Sequence, residues 1–285
     1  MDAYTAFAKV YDKFMEEVPY VKWSNFIDFL ISRYGISKPD RNAEDALESE
    51  RNLVLDLGCG TGVLTKLMYE KGYDLIGVDI SQEMLQEAMS KDEDGDILYI
   101  CQDMCELDLY STIGTVYSSC DSVNYLIEDE EIQQCFDRVS NFLYPGGLFI
   151  FDFNTVHKYK DVIGEATIAE NDEDCSFIWD NYYDEENHIN EYDLTLFIKD
   201  EESGLYSKEV ENHYQRGYEI EEMGDFLERA GLKVLAFIDE RALDSDYERI
   251  LLESGMDMDN VSAVEIGITD DSQRVFVIAK SQKCD

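Results

Sequence analysis

The chain has 285 residues, 45% of them hydrophobic and 12% aromatic, which is enough to build a globular core. Its 64 acidic and 23 basic residues give a formal net charge of −41, which disfavours nucleic acid and anionic membranes as partners because both are anionic. Without a secretory signal, an apolar run of 18 residues or paired cysteine spacing, the chain is predicted to be cytoplasmic. Cys101 and Cys105 have no second pair or nearby histidine, so we expect no metal site.

The N-terminal region is predicted to form two helices within residues 1–35. Apolar residues recur at intervals of three and four between Ala3 and Met15, and again between Phe26 and Tyr34. Residues 36–52 are rich in charge and contain Pro39, which is typical of an exposed connector.

Residues 53–62 combine an apolar run with three glycines. The run 53–57 is typical of a central strand in a parallel sheet, covered on both faces. Gly58, Gly60 and Gly62 allow a tight turn and a close approach of the backbone to a ligand. The spacing differs from the dinucleotide pattern G-x-G-x-x-G, and no Lys-Ser/Thr pair follows to form a phosphate loop. The segment therefore predicts a strand, a ligand-binding turn and a helix.

Acidic residues follow the next two predicted strands. Residues 73–79 end in Asp79, where Rossmann-type folds place a carboxylate that accepts from ribose hydroxyls. Residues 97–101 are followed by Gln102, Asp103 and Met104. An aspartate after a strand is also common as a turn or helix-cap residue, and this alternative stays open for Asp103.

The remaining core elements continue the alternation of strand and helix. Strands are predicted at 115–120, 147–153, 232–238 and 274–279, and helices at 130–143 and 219–231. This order predicts an α/β fold with a Rossmann-like, doubly wound sheet. No function is assigned to residues 240–272.

Residues 155–219 interrupt this alternation. Aromatic-rich alternating segments at 175–183, 188–198 and 205–214 predict an antiparallel meander of three or more strands. We therefore divide the chain into a core (1–154 and 220–285, with 1–35 as a helical lid) and an inserted, substrate-capping subdomain (155–219).

Several motifs resemble those of the class I S-adenosylmethionine-dependent methyltransferases. They are the Asp-Leu-Gly-Cys-Gly-Thr-Gly segment at 56–62, the strand-end acids and the Pro-Gly-Gly turn at 145–147. Residues 4–12 and 121–126 resemble motifs of a bacterial small-molecule branch that includes amino-sugar and glycine-type N-methyltransferases. The resemblance implies a seven-stranded mixed sheet whose last strand is antiparallel, a helical lid, and S-adenosylmethionine as the cofactor.

The resemblance also implies which residues contact the cofactor. An acid after the third strand would accept from the adenine amino group, and lid aromatics would meet the methionine end. The alternative for the lid aromatics is packing between lid and core. The candidates are Tyr4, Tyr11, Trp23, Asp56, Gly58, Cys59, Gly60, Asp79, Ile80, Met84, Gln102, Asp103, Met104, Cys120 and Asp121.

Candidates for the methyl acceptor site lie near the inserted segment. His213, Asn154 and His157 are the catalytic candidates, and Arg216, Tyr218 and Tyr125 are the substrate-binding candidates. An isolated Arg216 would hold a substrate carboxylate or phosphate, whereas its alternative is a salt bridge to a nearby acid. For His213 the alternative is packing, and for Asn154 it is a role in the turn.

Together these patterns favour methyl transfer to a small polar molecule, at nitrogen rather than at oxygen or carbon. Two rival hypotheses are a methyltransferase that acts on a protein or RNA group, and a protein that binds the cofactor without turnover. The sequence is compatible with a homodimer and does not specify the oligomeric state.

Overall fold

The computed structural model describes residues 7–200, 202–256 and 262–283. These residues form one eight-stranded sheet and one four-stranded sheet. The strands of the larger sheet are β1 (Leu53–Leu57), β2 (Asp74–Asp79), β3 (Leu98–Cys101), β4 (Ile113–Ser118), β5 (Leu143–Asn154), β10 (Leu232–Asp239), β11 (Val264–Ile266) and β12 (Arg274–Ser281). Those of the smaller sheet are β6 (Thr167–Asn171), β7 (Cys175–Asp184), β8 (Ile189–Lys199) and β9 (Tyr206–Arg216).

Helices cover the larger sheet on both faces. The α-helices among the described residues are α1 (Tyr11–Phe14), which packs against the smaller sheet, α2 (Tyr20–Tyr34), α3 (Ala46–Asn52), α4 (Val63–Glu70), α5 (Gln82–Lys91), α6 (Asp129–Phe142), α7 (Ile220–Arg229) and α8 (Tyr247–Glu253). Two apolar clusters, one on each face, bury the sheet between them. This arrangement explains why four of the five residues of β1 are apolar, Asp56 being the exception. Among the described residues, none of the helices combines the length and apolar composition that crossing a bilayer requires.

The predicted α/β sheet is confirmed, but its strand number is not. The spatial order is β11-β10-β12-β5-β4-β1-β2-β3, which makes eight strands instead of seven. The eighth is β11, which comes from the segment 240–272 and pairs in parallel with β10. Only three residues long, β11 is too short for an apolar pattern to reveal it.

The last strand is antiparallel, as predicted. β12 pairs in antiparallel fashion with both β5 and β10, so it lies inside the sheet instead of at its edge. In contrast, β1 pairs in parallel with β2 and β4, and β2 pairs in parallel with β3. The carboxyl ends of these four strands therefore meet at one edge of the sheet, where ligands bind in such folds.

The N-terminal region has two parts with different environments. A short helical segment, Phe7–Lys9, and α1 lie before Pro19, and α2 follows it. Helix α2 buries one face, including Trp23, Phe26 and Leu30, in the apolar cluster against the sheet. Its periodic apolar face thus packs in the core, and only the segment up to Tyr20 reaches the cavity described below.

The inserted segment forms a four-stranded antiparallel sheet in the order β6-β7-β8-β9. β7, β8 and β9 correspond to the three predicted strands. The sequence did not indicate β6, because all of its residues are exposed and it lacks a repeating apolar face. β9 is an edge strand, and its last residues lie beside the core.

Candidate active site

A cavity of about 430 Å³ lies at the carboxyl edge of the parallel strands, bounded on one side by β9. This volume is within the usual range for small-molecule sites. The residues that line it are Tyr11, Tyr20, Asp56, Gly58, Cys59, Gly60, Thr61, Val63, Leu64, Val78, Asp79, Ile80, Met84, Gln102, Asp103, Met104, Cys105, Ser119, Cys120, Ser122, Tyr125, Leu126, Ile127, Glu131, Asn212, His213 and Tyr214.

The glycine loop between β1 and α4 forms one wall of the cavity. Gly58 and Cys59 donate their backbone N–H groups to the carbonyl oxygen of Val78, at 2.7 and 2.9 Å. Gly58 has a φ of +77°, and a Cβ there would lie 2.7 Å from the Ser122 hydroxyl oxygen. A Cβ at Gly60, where φ is +53°, would meet no atom within 4 Å. The loop thus leaves open space that a ligand can fill.

The carboxylate of Asp79 is held at the end of β2. Its two oxygens accept from the backbone N–H groups of Gly60 at 2.8 Å and Ser81 at 2.9 Å. Burial raises the pKa of Asp79, and these backbone bonds oppose that shift. A carboxylate fixed beside the glycine loop fits a ligand with paired hydroxyl donors, such as a ribose.

Asp103 combines a place on the cavity wall with the helix-cap role that its position in the sequence left open. It lines the cavity, and its carboxylate also accepts from the Cys105 N–H at 2.8 Å, which begins a short 3-10 helix, Met104–Glu106. Gln102 and Met104 flank it on the cavity wall, and Ile80 lies nearby on the lining of the cavity. This wall suits a planar ring with an amino group that donates.

Asp56 lies at the base of the cavity and is 2% exposed. It accepts from the Thr65 hydroxyl at 2.6 Å and from the Tyr117 hydroxyl at 3.0 Å. Burial raises the pKa of Asp56 to about 7, although both hydroxyl donors oppose the shift. Both bonds go to Oδ2, so protein groups hold this oxygen in place beneath the glycine loop.

Aromatic hydroxyls from the N-terminal region reach the cavity at Tyr11 and Tyr20. The Cys120 thiol lies 3.7 Å from the Tyr20 hydroxyl, and burial raises the pKa of both phenols. The neighbouring Asp12 accepts from the Thr61 hydroxyl of the glycine loop at 2.5 Å. Tyr20 was not among the sequence candidates, although its place directly after Pro19 at a helix start was visible. Tyr4, which was a candidate, lies outside the described residues.

A polar aromatic cluster of Tyr125, Tyr192 and His213 closes the opposite side of the cavity. The Tyr125 hydroxyl lies 2.9 Å from the Tyr192 hydroxyl and 3.2 Å from His213 Nδ1. His213 faces Tyr192 across β8 and β9, and their rings stack at 4.7 Å with an interplanar angle of 7°. The inserted sheet therefore brings a buried imidazole to the cavity wall.

Three of the sequence candidates lie outside the cavity, in the core around it. Trp23 packs edge-on against Phe276, and Arg274 lies over its ring. Asp121 accepts from Arg274 at 2.7 Å, and its backbone is left-handed, with a φ of +52°. Asn154 is 2% exposed, and its amide donates to the Tyr159 hydroxyl at 2.9 Å. All three support the walls of the cavity without lining it.

The other three candidates that do not line the cavity have partners within the protein. His157 Nδ1 lies 2.9 Å from the Asp161 carboxylate. Arg216 forms salt bridges with Asp129 and Glu222, which is the alternative that its acidic surroundings suggested. Tyr218 is fully buried, and its hydroxyl donates to the Leu126 carbonyl oxygen.

Comparisons with known proteins agree with this geometry. A family described as a methyltransferase domain matches residues 54–147. A putative methyltransferase from Geobacillus sp. (strain WCH70) is 35% identical over 234 residues, which cover 81% of this chain and 90% of that protein.

Solved structures extend the similarity to the whole fold. An S-adenosylmethionine-dependent methyltransferase from Clostridium acetobutylicum is 27% identical, with a TM-score of 0.76 and coverage of 98% of this chain and 99% of that one. An amino pentose methyltransferase from Micromonospora echinaspora, solved with S-adenosylmethionine bound, has a TM-score of 0.64 and covers 97% of each chain. At 13% identity, this second similarity shows the fold alone.

The glycine loop, the strand-end carboxylates and the open space above Gly60 fit S-adenosylmethionine, which the resemblance had implied. The extent of the similarity to named methyltransferases is sufficient to assign the family. The chain therefore belongs to the S-adenosylmethionine-dependent methyltransferases and is an enzyme that uses this cofactor.

Proposed function

We propose that this enzyme methylates a small amine at nitrogen. The observation that carries the proposal is the charge of the cavity wall. Within the described part of the chain, the acidic and basic side chains that line the cavity, apart from His213, are Asp56, Asp79, Asp103 and Glu131, all of them acids. Asp79 and Asp103 face the proposed cofactor position, but because no Lys or Arg among the described residues lines the cavity, an acceptor with a carboxylate or phosphate would find no cationic partner there, whereas a cationic acceptor would meet no like charge.

The position of Arg216 supports the same conclusion. A guanidinium is the side chain best suited to hold an anionic acceptor. Arg216 instead lies 2.6 Å from the Asp129 carboxylate and also pairs with Glu222, while it stacks over the Tyr218 ring. Since its charge is already balanced by two acids, Arg216 is unsuited to anion binding.

The size of the cavity supports a small acceptor. A cavity of about 430 Å³ that also holds S-adenosylmethionine leaves little volume for an acceptor. β9 covers one side of it through Asn212, His213 and Tyr214. A folded protein or RNA would need a wider opening, and the net charge of −41 would repel RNA.

The chain's own residues provide alignment and proton removal. When bound, S-adenosylmethionine supplies an electrophilic methyl group on a sulfonium sulfur. Tyr11 and Tyr20 present aromatic rings to the cavity, which favour a cation over their faces. The inserted sheet covers the cavity and excludes water, so that the nucleophile and methyl group stay aligned.

An amine is protonated near neutral pH and reacts only after it loses a proton. Tyr125 and His213 lie on the cavity wall, with the Tyr125 hydroxyl 3.2 Å from His213 Nδ1. In our proposal the amine N–H bond breaks as an O–H bond forms on Tyr125, and the phenolic proton moves to His213 Nδ1. This pair thus acts as the general base.

Label transfer tests this function. The purified enzyme is incubated with a metabolite extract and S-adenosylmethionine that carries a labelled methyl group. We expect label in a small basic metabolite, as an N-methyl group that resists alkaline hydrolysis. Label in an alkali-labile methyl ester, or in protein or RNA, would contradict the proposal. No transfer to any fraction would instead favour cofactor binding without turnover.

A further inference from the structure

Glu211 lies next to the proposed base and was not among the sequence candidates. It precedes His213 by two positions on β9, so both side chains are on the same face of the inserted sheet. The side chains are 3% and 0% exposed, and Glu211 Oε2 lies 3.4 Å from His213 Nε2. The contact has the distance of an ion pair and not the geometry of a hydrogen bond, so the buried carboxylate favours a proton on Nε2 through its charge.

A proton on Nε2 determines what the other ring nitrogen of His213, Nδ1, can do. Nδ1 lies 3.2 Å from the Tyr125 hydroxyl. A neutral imidazole carries one proton, so a proton on Nε2 makes Nδ1 an acceptor. Tyr125 then donates to Nδ1, and its oxygen lies 2.9 Å from the Tyr192 hydroxyl. This orientation is the one that allows His213 to receive a proton through Tyr125.

The second oxygen of Glu211 has a different partner. Oε1 accepts from the backbone N–H of Phe7 at 3.1 Å. Phe7 begins the short helical segment that leads to Tyr11, and its ring packs edge-on against Tyr11 at 5.2 Å. One carboxylate therefore contacts both the imidazole and the segment that carries Tyr11 to the cavity.

We propose that Glu211 is a positioning residue that fixes His213 as the Nε2–H tautomer and anchors the N-terminal segment over the cavity. The catalytic consequence of this inference rests on the proposed function, in which His213 is part of the general base. Glu211 does not line the cavity, and among the described residues it contacts His213 and Phe7, so it acts indirectly. The geometry links the position of the segment at Phe7 to the orientation of the base.

Nitrogen NMR on the full-length, ¹⁵N-labelled enzyme tests the tautomer without any acceptor. The chain has three histidines, so the His213 signals are identified by their loss in His213→Phe. At a pH where the ring is neutral, we expect a protonated, pyrrole-type Nε2 and a pyridine-type Nδ1. A wild-type spectrum with the proton on Nδ1 would overturn the proposal.

Glu211→Met removes both acceptor oxygens and keeps the length of the side chain. We expect the His213 tautomers to mix in this variant, and exchange of the Phe7 amide hydrogen to speed up about 10-fold or more, the loss expected for a bond to a charged acceptor. The matched control is Glu209→Met, at an exposed position on the same strand. A Glu211→Met protein with unchanged tautomer and unchanged exchange would refute the proposal. Label transfer tests the proposed function separately, so the two failures are distinguishable.

Discussion

The proposed cofactor side and the proposed acceptor side of the cavity are built in different ways. On the cofactor side, Gly58 directly follows β1, Asp79 is the last residue of β2 and Asp103 lies two residues after β3, and the parallel sheet places all three strand ends at one edge. On the acceptor side, Tyr125 and His213 are 88 residues apart and meet because a second sheet folds over the first. Local sequence therefore specifies the cofactor side, whereas tertiary packing specifies the acceptor side.

If this division is correct, His213→Phe should slow methyl transfer without weakening cofactor binding. Phenylalanine keeps a ring to stack on Tyr192 but removes the proton acceptor, so methyl transfer should fall by about 10²- to 10⁴-fold. Calorimetric affinity for S-adenosylmethionine should stay the same. The control is His157→Phe, which lies outside the cavity and should change neither quantity. A large loss of cofactor affinity in His213→Phe would show that the two sides are not separable.

A buried ionic cluster around Arg274 connects the core sheet to β9 of the inserted sheet. Arg274 pairs with Asp121 and Asp152, and Asp121 also accepts from Gln215 of β9 at 2.7 Å. Arg274→Leu leaves two carboxylates without their cation, so the free energy of unfolding should fall by about 3–5 kcal/mol in a urea titration.

The control for this cluster is Arg249→Leu. Arg249 and its partner Asp246 are both exposed, so removing this salt bridge should lower the free energy of unfolding by about 0–1 kcal/mol. Equal losses in the two variants would contradict the structural role of the buried cluster.

Asp56 is expected to make the free energy of unfolding depend on pH. The pKa of Asp56 in the folded protein is about 7, above its usual value of 3.8, because the carboxyl is buried. The folded state then binds more protons than the unfolded state between about pH 4 and 7, so this group makes the free energy of unfolding fall as the pH rises through that window.

Asp56→Asn removes this titration. The free energy of unfolding of Asp56→Asn minus that of wild type should therefore rise by about 2 kcal/mol from pH 5 to pH 7 in urea titrations. A difference that is flat or falls with pH would show that Asp56 stays ionised in the folded protein.

Gly58→Ala is expected to have the smallest effect of these variants. A φ of +77° costs an L-residue roughly 1–2 kcal/mol, and the new Cβ displaces Ser122, so affinity for S-adenosylmethionine should fall about 10-fold or more by calorimetry. Gly95→Ala is the matched control, since its φ is +70° and a Cβ there meets no atom within 4 Å. Because Gly95 is remote from the cavity, this variant should bind the cofactor normally. Normal binding by Gly58→Ala would contradict the proposed close approach of the loop.

The same division explains which features could be predicted from the sequence. The glycine loop and Asp79 lie within or just after strands that apolar runs identify, so their positions follow from the strand order. Glu211 and Tyr20 could not be predicted, because their contacts with His213 and Cys120 depend on sheet register and helix docking. β6 and β11 were missed for a related reason, since exposed or three-residue strands carry no apolar pattern.

Arg216 shows the limit of reasoning from composition. In an acidic chain an isolated arginine suggested an anion site, but the same acidity supplies Asp129 and Glu222 as partners. An excess of acids makes a salt bridge the usual outcome for such a residue. The neighbouring Gln215 and His213 point to the opposite face of β9, which no charge count could indicate.

A crystal structure with S-adenosylhomocysteine, the demethylated product, tests the central claim most directly. The account predicts the adenine at Asp103, the ribose hydroxyls at Asp79 and the sulfur facing the space between Tyr11 and the Tyr125–His213 pair. Product bound in another cavity, or with its sulfur turned away from His213, would contradict the assignment of the two sides.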